Sequence, residues 1–387
     1  MRVPLLDLQS QYLSIQDEIL QAVHEVLTSQ QFILGPAVGS LEAGIANYCG
    51  CRHAVGVSSG SDALLMCLMA EEIGPGDEVI TTPFTFFATV AAILRVGATP
   101  RFVDICPSTF NIDASRLSEA ITPRTRAIIP VHLFGLCADM EPLTECARQR
   151  GLVVIEDAAQ SLGAVYRGQR AGTIGDYGCY SFFPSKNLGG AGDGGMIVTN
   201  DASKADRLRL LRVQGARPKY HHQFVGGNFR LDTLQAAIVG VKLRHLDSWI
   251  EMRRANAARY VKMLSALSPQ PARLLSLPHE PADRRHVFNQ FTVRVADRDR
   301  VRAVLAEKGI ATEVYYPTPA HLQPAVSRLG LQPGTFPVSE NCARECLALP
   351  VYPELPDAAV AAVTSALAFA LRRDLPVGQS PDGPADG

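Results

Sequence analysis

In the segment Tyr180-Ser-Phe-Phe-Pro-Ser-Lys-Asn-Leu-Gly-Gly, Lys186 follows an apolar and aromatic run, with Ser181 five residues before it. Burying an ammonium costs several kcal/mol unless it is paired or neutralised. A partly desolvated lysine has a lowered pKa and suits imine chemistry with a carbonyl. The competing reading is a lysine that snorkels to the surface after its strand. On this segment alone, that reading is the commoner one.

A second segment, Val153-Val-Ile-Glu-Asp-Ala-Ala-Gln, ends an apolar strand in Glu156-Asp157, with Gln160 beyond. Carboxylates at the C-terminal end of a parallel strand lie where open α/β sheets build their sites. A carboxylate fixed beside a pyridine nitrogen holds that nitrogen protonated, as pyridoxal phosphate (PLP) requires to act as an electron sink. A magnesium ligand and a helix N-cap remain open for the same residues. The third segment, Ala54-Val-Gly-Val-Ser-Ser-Gly-Ser-Asp-Ala, runs from a strand through Gly60-Ser61-Asp62 into a helix. The free N–H groups and positive dipole of such a helix start attract an anion, and Ser61 adds a hydroxyl. An ordinary capped helix has the same appearance. Pro83-Phe-Thr-Phe86 offers an aromatic for ring stacking.

Gly190-Ala-Gly-Asp-Gly-Gly195 has the G-x-G-x-x-G spacing of a dinucleotide loop. Such a loop opens a helix, whereas Met196-Ile-Val-Thr reads as a strand. The run is therefore expected to be a close-packed turn beside Lys186, and a nicotinamide oxidoreductase loses its one support.

The elements that must position these groups alternate. Strands are expected at Ala54–Ser58, Glu78–Thr81, Pro100–Asp104, Ala127–Val131, Leu152–Asp157, Gly178–Phe182 and Met196–Thr199. Helices are expected between them, including Asp62–Glu72, Phe84–Arg95 and Met140–Arg150. That alternation predicts an α/β fold around a mostly parallel sheet. A long helical stretch from Leu231 to Leu267, kinked near His245–Asp247, precedes a loop over 268–285. A smaller α+β unit follows, with strands at Val287–Val295 and Thr312–Tyr316. The expected division is 1–250 for an N-terminal arm and large domain, 251–375 for a smaller domain with its linking helix, and 376–387 for a disordered tail poor in apolar residues.

The composition excludes several classes. With 47% hydrophobic and 19% charged residues, the chain of 387 can bury a sizeable core. Its 37 Lys+Arg against 38 Asp+Glu give a net charge of −1. That balance argues against nucleic-acid binding through bulk charge and against a polybasic membrane surface. No run is long enough for a signal peptide or a membrane span, so a cytoplasmic protein is expected. Nine cysteines form no C-x-x-C pair, so reduced, buried thiols are expected and no metal site.

On these residues the chain resembles the DegT/StrS-type PLP-dependent nucleotide-sugar aminotransferases from about Pro4 to Ala370. The carrying phrases are Gly74-Pro-Gly-Asp-Glu-Val, Pro130-Val-His-Leu, Ile155-Glu-Asp-Ala-Ala-Gln, Ser181-Phe-Phe-Pro-Ser-Lys-Asn-Leu, Gly192-Asp-Gly-Gly and Asn228-Phe-Arg-Leu-Asp. The resemblance implies a fold-type-I PLP transferase, aspartate aminotransferase-like, with a large domain and a small C-terminal α+β domain. It implies Lys186 as the Schiff-base lysine, Asp157 on the pyridinium nitrogen, Gln160 on the ring's O3′ side and Phe86 stacked on the ring. Gly60, Ser61, Asp62 through its N–H, and Ser181 would hold the phosphate. Asn228 would reach that phosphate from the second subunit of a homodimer. His222, Tyr316 and His321 would meet the sugar nucleotide; Arg230 could meet a pyrophosphate or carboxylate bidentately, and an interface salt bridge is an equal reading of it. The implied reaction moves an amino group from an amino-acid donor, typically glutamate, to a 3-keto rather than a 4-keto sugar. Relatives with histidine in place of the lysine are dehydratases, and this chain keeps Lys186. A PLP-binding regulator without turnover is the alternative from another class.

Overall fold

The computed structural model describes residues 1–266 and 274–372. The tail expected over 376–387 lies outside them, as does the first part of the loop expected from 268.

A seven-stranded sheet forms the centre, in the spatial order His53–Val57, Gly195–Thr199, Tyr177–Ser181, Val153–Asp157, Thr125–Ile128, Glu78–Thr81 and Thr99–Phe102. Gly195–Thr199 runs antiparallel to both neighbours, and every other pairing is parallel. These strands read as continuous apolar runs because helices cover both faces of the sheet. On one face lie Gly60–Ala70, Ala88–Arg95 and Ala202–Leu211, packing Leu64, Met66, Ile93 and Leu208 onto Val55, Ile155 and Ile197. On the other face Leu41, Ile45, Leu143 and Val239 pack on Ile128, Val154 and Val198. All seven strands expected for this sheet are present, with ends moved by a few residues.

A second sheet joins Leu275–Ser276, Phe291–Val295 and Cys346–Leu349, all antiparallel. The expected strand Thr312–Tyr316 is not in it. Only Glu313 bridges to Ala348, and the prolines at 317 and 319 cannot donate to a ladder. The helix expected from Phe84 begins at Ala88, leaving Phe84–Phe87 in a loop at the mouth of the sheet.

The helix Leu246–Ser265 serves both cores. Leu246 and Ile250 pack beneath the large sheet, whereas Ala257, Tyr260 and Leu264 pack with Phe291 and Val293 of the second. Val3 also belongs to this second core, through Val3 N–H to Gly309 O at 2.9 Å and Ala311 N–H to Val3 O at 2.9 Å. The division expected at residue 250 therefore cuts a helix, and the N-terminal arm packs on the C-terminal core. The nine cysteines are all free thiols. Among the described residues no helix is long and apolar enough to cross a membrane.

Candidate active site

Three chain segments end at one rim of the large sheet: Asp157 closes its strand, Ser181 closes the next, and Ser59-Gly60 follow His53–Val57. They border a cavity of about 460 Å³ that Lys186, Gln160, Phe86 and Tyr316 also line. Period-2 alternation sends Glu156 and Asp157 to opposite faces of the strand. Asp157 Oδ2 accepts from Thr89 Oγ1 at 2.7 Å, and Oδ1 accepts from Ala159 N–H at 3.3 Å. Burial pushes the Asp157 carboxyl above the usual range, while the Thr89 hydroxyl and the charge of Lys186 pull it back.

Lys186 lies in a turn pinned by Lys186 N–H to Phe183 O at 2.9 Å, Gly190 N–H to Phe182 O at 2.7 Å and Asn187 Nδ2 to Val287 O at 3.1 Å. Its side chain enters the cavity rather than snorkelling outward. Among the described residues its ammonium has no hydrogen-bond or ion-pair partner. Burial lowers its pKa to about 8, against the opposing pull of Asp157.

Gly60 starts the helix Gly60–Ala70, with Ser59 as the N-cap. Ser59 Oγ accepts from Asp62 N–H at 3.0 Å. The N–H groups of Gly60 and Ser61 take no acceptor among the described residues, and both residues line the cavity. A Cβ on Gly60 would come within 2.8 Å of Ser181 Cβ, so only glycine lets the helix start and the strand end approach this closely. Asp62 departs from expectation. The cap consumes its N–H, its carboxylate turns to Ser58 Oγ at 2.7 Å and Arg95 at 3.4 Å, and it does not line the cavity. One amine, one buried carboxylate, two free N–H groups and two hydroxyls around an aromatic-walled cavity fit the aldehyde, ring nitrogen and phosphate of PLP.

Phe86 and Tyr316 form the aromatic wall, with ring centroids 6.1 Å apart and planes at 39°. Phe86 is 59% exposed. Gln160 Oε1 accepts from Phe134 N–H at 2.6 Å and its Nε2 donates to Tyr316 Oη at 3.2 Å, which fixes the amide orientation.

Four expected residues lie away from this cavity. Asn228 is exposed, and its backbone bridges to Val213. His222 is exposed, with Nδ1 at 2.8 Å from Gln214 O. Arg230 bridges by backbone to Val57, and its side chain has no partner among the described residues. His321 is buried in a separate aromatic cluster, at 3.1 Å from Glu340 and edge-on to Phe336, with ring centroids 4.8 Å apart. Burial lowers its pKa, and it serves packing where substrate contact was expected.

Sequence reasoning missed Thr89 and His132. The four-residue spacing of Thr85 and Thr89 was the available signal for the first. His132 is fully buried and its Nε2 lies 2.7 Å from Glu156 Oε2. Its Nδ1 accepts from Ala138 N–H at 3.1 Å. Burial opposes a charge on this ring, while Cys137 and Glu156 raise its pKa to about 10. Yet Nδ1 accepts from Ala138 N–H, where a second proton would meet that donor, so the hydrogen-bond geometry is that of a neutral ring donating from Nε2. Glu156 also accepts from the N–H groups of Gly172, Ile174 and Gly175 at 2.6–2.7 Å. His132, Cys137 and Glu156 stand close enough to suggest a metal site, but these hydrogen bonds already occupy the imidazole and carboxylate.

Residues 13–368 match the model of the DegT/DnrJ/EryC1/StrS aminotransferase family. A Geobacillus stearothermophilus protein named a pleiotropic regulatory protein is 52% identical, over 92% of this chain and 95% of its own length. An Acidithiobacillus ferrooxidans protein named a UDP-N-acetyl-3-dehydro-alpha-D-glucosamine 3-aminotransferase is 46% identical, over 94% of this chain and 97% of its own. The crystal structure of Streptomyces venezuelae DesV with a ketimine intermediate superposes with a TM-score of 0.92. It is 44% identical, over 95% of this chain and 98% of that one.

Proposed function

The chain belongs to the DegT/DnrJ/EryC1/StrS aminotransferase family, and from that membership we propose how its own residues move an amino group onto a nucleotide-linked sugar. The protein is a PLP-dependent aminotransferase acting on a 3-keto nucleotide sugar. The observation that carries the residue assignment is a lone amine, Lys186, sharing one cavity with the buried carboxylate of Asp157.

PLP, when bound, supplies a carbonyl for amine exchange and a ring that accepts the electrons released at the donor's Cα. Lys186 Nζ, with its pKa lowered to about 8, is the base that takes the Cα proton of an amino donor such as L-glutamate and later returns a proton to the product carbon. Asp157 would hold the proton at the ring nitrogen by charge pairing. The N–H groups of Gly60 and Ser61 and the hydroxyl of Ser181 hold the phosphate. Gln160 Nε2 would hold the ring oxygen, and Phe86 and Tyr316 would cover the ring and exclude water.

A homodimer with shared sites completes this reading. Among the described residues lining the cavity Lys186 is the one lysine or arginine, too little positive charge for a nucleotide diphosphate and a donor carboxylate. Asn228, Arg230 and His222 lie outside the cavity, near Val225 and Tyr220, which are 87% and 82% exposed. A second copy covering that surface would bring these polar groups to the first copy's cavity.

One similar protein is named as a regulator, so turnover is the point to test. Purified protein mixed with PLP should gain an absorption band that Lys186→Ala abolishes. L-Glutamate should convert it to the pyridoxamine form, and 3-keto nucleotide sugars should restore it faster than 4-keto ones. A band that ignores glutamate would favour the regulatory reading.

A further inference from the structure

Two hydroxyls stand in line from Asp157. Thr89 Oγ1, fully buried on the helix Ala88–Arg95, lies 2.7 Å from Asp157 Oδ2 and 3.2 Å from Phe86 O. Thr85 Oγ1, nearly as buried, lies 3.0 Å from Thr89 Oγ1. A hydroxyl carries one proton. With Asp157 ionised, Thr85 donates to Thr89, and Thr89 donates to the carboxylate. With Asp157 protonated, the carboxyl would donate to Thr89, which would turn its proton to the Phe86 carbonyl at the longer distance. The 2.7 Å contact is present in both arrangements, and the charge of Lys186 facing the carboxylate favours the first.

We propose that Thr89, polarised by Thr85, is a positioning residue that fixes the Asp157 carboxylate as an anion aimed at the ring nitrogen of PLP. The proposal rests on the PLP reading given above. The other titratable groups facing Asp157 are Lys186, His132, Tyr316 and Cys179. Both ring nitrogens of His132 are engaged, with Glu156 and with Ala138 N–H, so it donates nothing to Asp157. Tyr316 and Cys179 carry no charge near neutral pH, and Lys186 must give up its own charge to act as a base. Thr89 is then the one side-chain donor that remains through every stage. Consistent with this, its hydrogen bond is the largest counterweight to the burial of Asp157.

The test compares Thr89→Val, which keeps the shape and removes the hydroxyl, with Thr89→Ser, which keeps the hydroxyl, and with Thr85→Val. Apoprotein is titrated with PLP by absorbance, and the pH midpoint of the resulting chromophore is read. Thr89→Val should bind PLP about tenfold or more weakly, the scale of a lost hydrogen bond to a charged group. Its chromophore midpoint should move upward, because a ring with less positive charge repels the neighbouring proton less. Thr89→Ser should restore both readouts to within about threefold of wild type, and Thr85→Val should fall between. A folded Thr89→Val with unchanged affinity and midpoint overturns the inference. If Thr89→Val does not fold, Thr85→Val decides: a wild-type affinity and midpoint there overturn it. Wild-type protein that ignores PLP overturns the functional reading itself, and this inference with it.

Discussion

His132 Nε2 donates to Glu156 Oε2 at 2.7 Å, whereas the adjacent Asp157 lines the cavity, so neighbouring carboxylates on one strand meet different partners. Glu156 gathers three backbone N–H groups and one imidazole and clasps the Gly172–Gly175 turn to the strand. Asp157 lines the cavity. A Glu156→Gln substitution would set an amide NH₂ against donors already in place. We expect it to cost about 2–4 kcal/mol of stability, the range for breaking a buried charged hydrogen-bond set. Urea unfolding of the apoprotein measures this, and a loss under ~0.5 kcal/mol, the size of an ordinary surface substitution, would contradict the clasp.

The lowered pKa of Lys186 makes apoprotein stability depend on pH. Its value falls from 10.5 in the unfolded chain to about 8 in the folded one. Between those values the unfolded state binds more protons, so this group makes stability rise with pH from about 8 to 10.5 and then level off. Lys186→Met should lack that rise. At pH 7 it should be more stable than wild type by roughly 1–2 kcal/mol, a figure discounted because the cavity admits water. Parallel denaturation curves at pH 7 and pH 10 give the difference directly, which cancels the contribution of every other titrating group.

The phosphate cradle proposed at Gly60 has a steric test. Alanine there would press its methyl on Ser181 Cβ at 2.8 Å and Cα at 3.2 Å. The helix start must then shift, moving the Gly60 and Ser61 N–H groups off the anion. Binding of PLP by Gly60→Ala should weaken on the order of tenfold, the effect of one lost charge-assisted hydrogen bond. Binding of pyridoxal without its phosphate should change far less. Equal losses for both ligands would remove the phosphate from this helix start.

The shared-site dimer has a test that needs no structure of the assembly. Lys186→Ala and Asn228→Ala proteins should each be weak alone. Mixed and allowed to exchange subunits, they should regain about a quarter of wild-type activity, because half the dimers are hybrid and each hybrid has one site free of both substitutions. No recovery, with exchange verified by mass, would place Asn228 and Lys186 on the same subunit's site or leave Asn228 without a role.

The sequence alone determined the chemistry-bearing strand ends. Lys186, Asp157 and Gly60 announce themselves because each sits where an apolar run stops, and burial of that run fixes where its last residue must lie. The seven strands of the large sheet were legible for the same reason. Tertiary structure decided the rest. Thr89 meets Asp157 across 68 residues of chain, and His132 meets Glu156 across 24. His321, close in sequence to the cavity residue Tyr316, turns instead into a pocket of Phe102 and Phe336. Asn228 and Arg230 stay outside the cavity of their own chain. Periodicity reports only which face of an element is buried. Which hydroxyl or imidazole comes to stand against a carboxylate depends on how distant elements pack, and no local pattern encodes that distance.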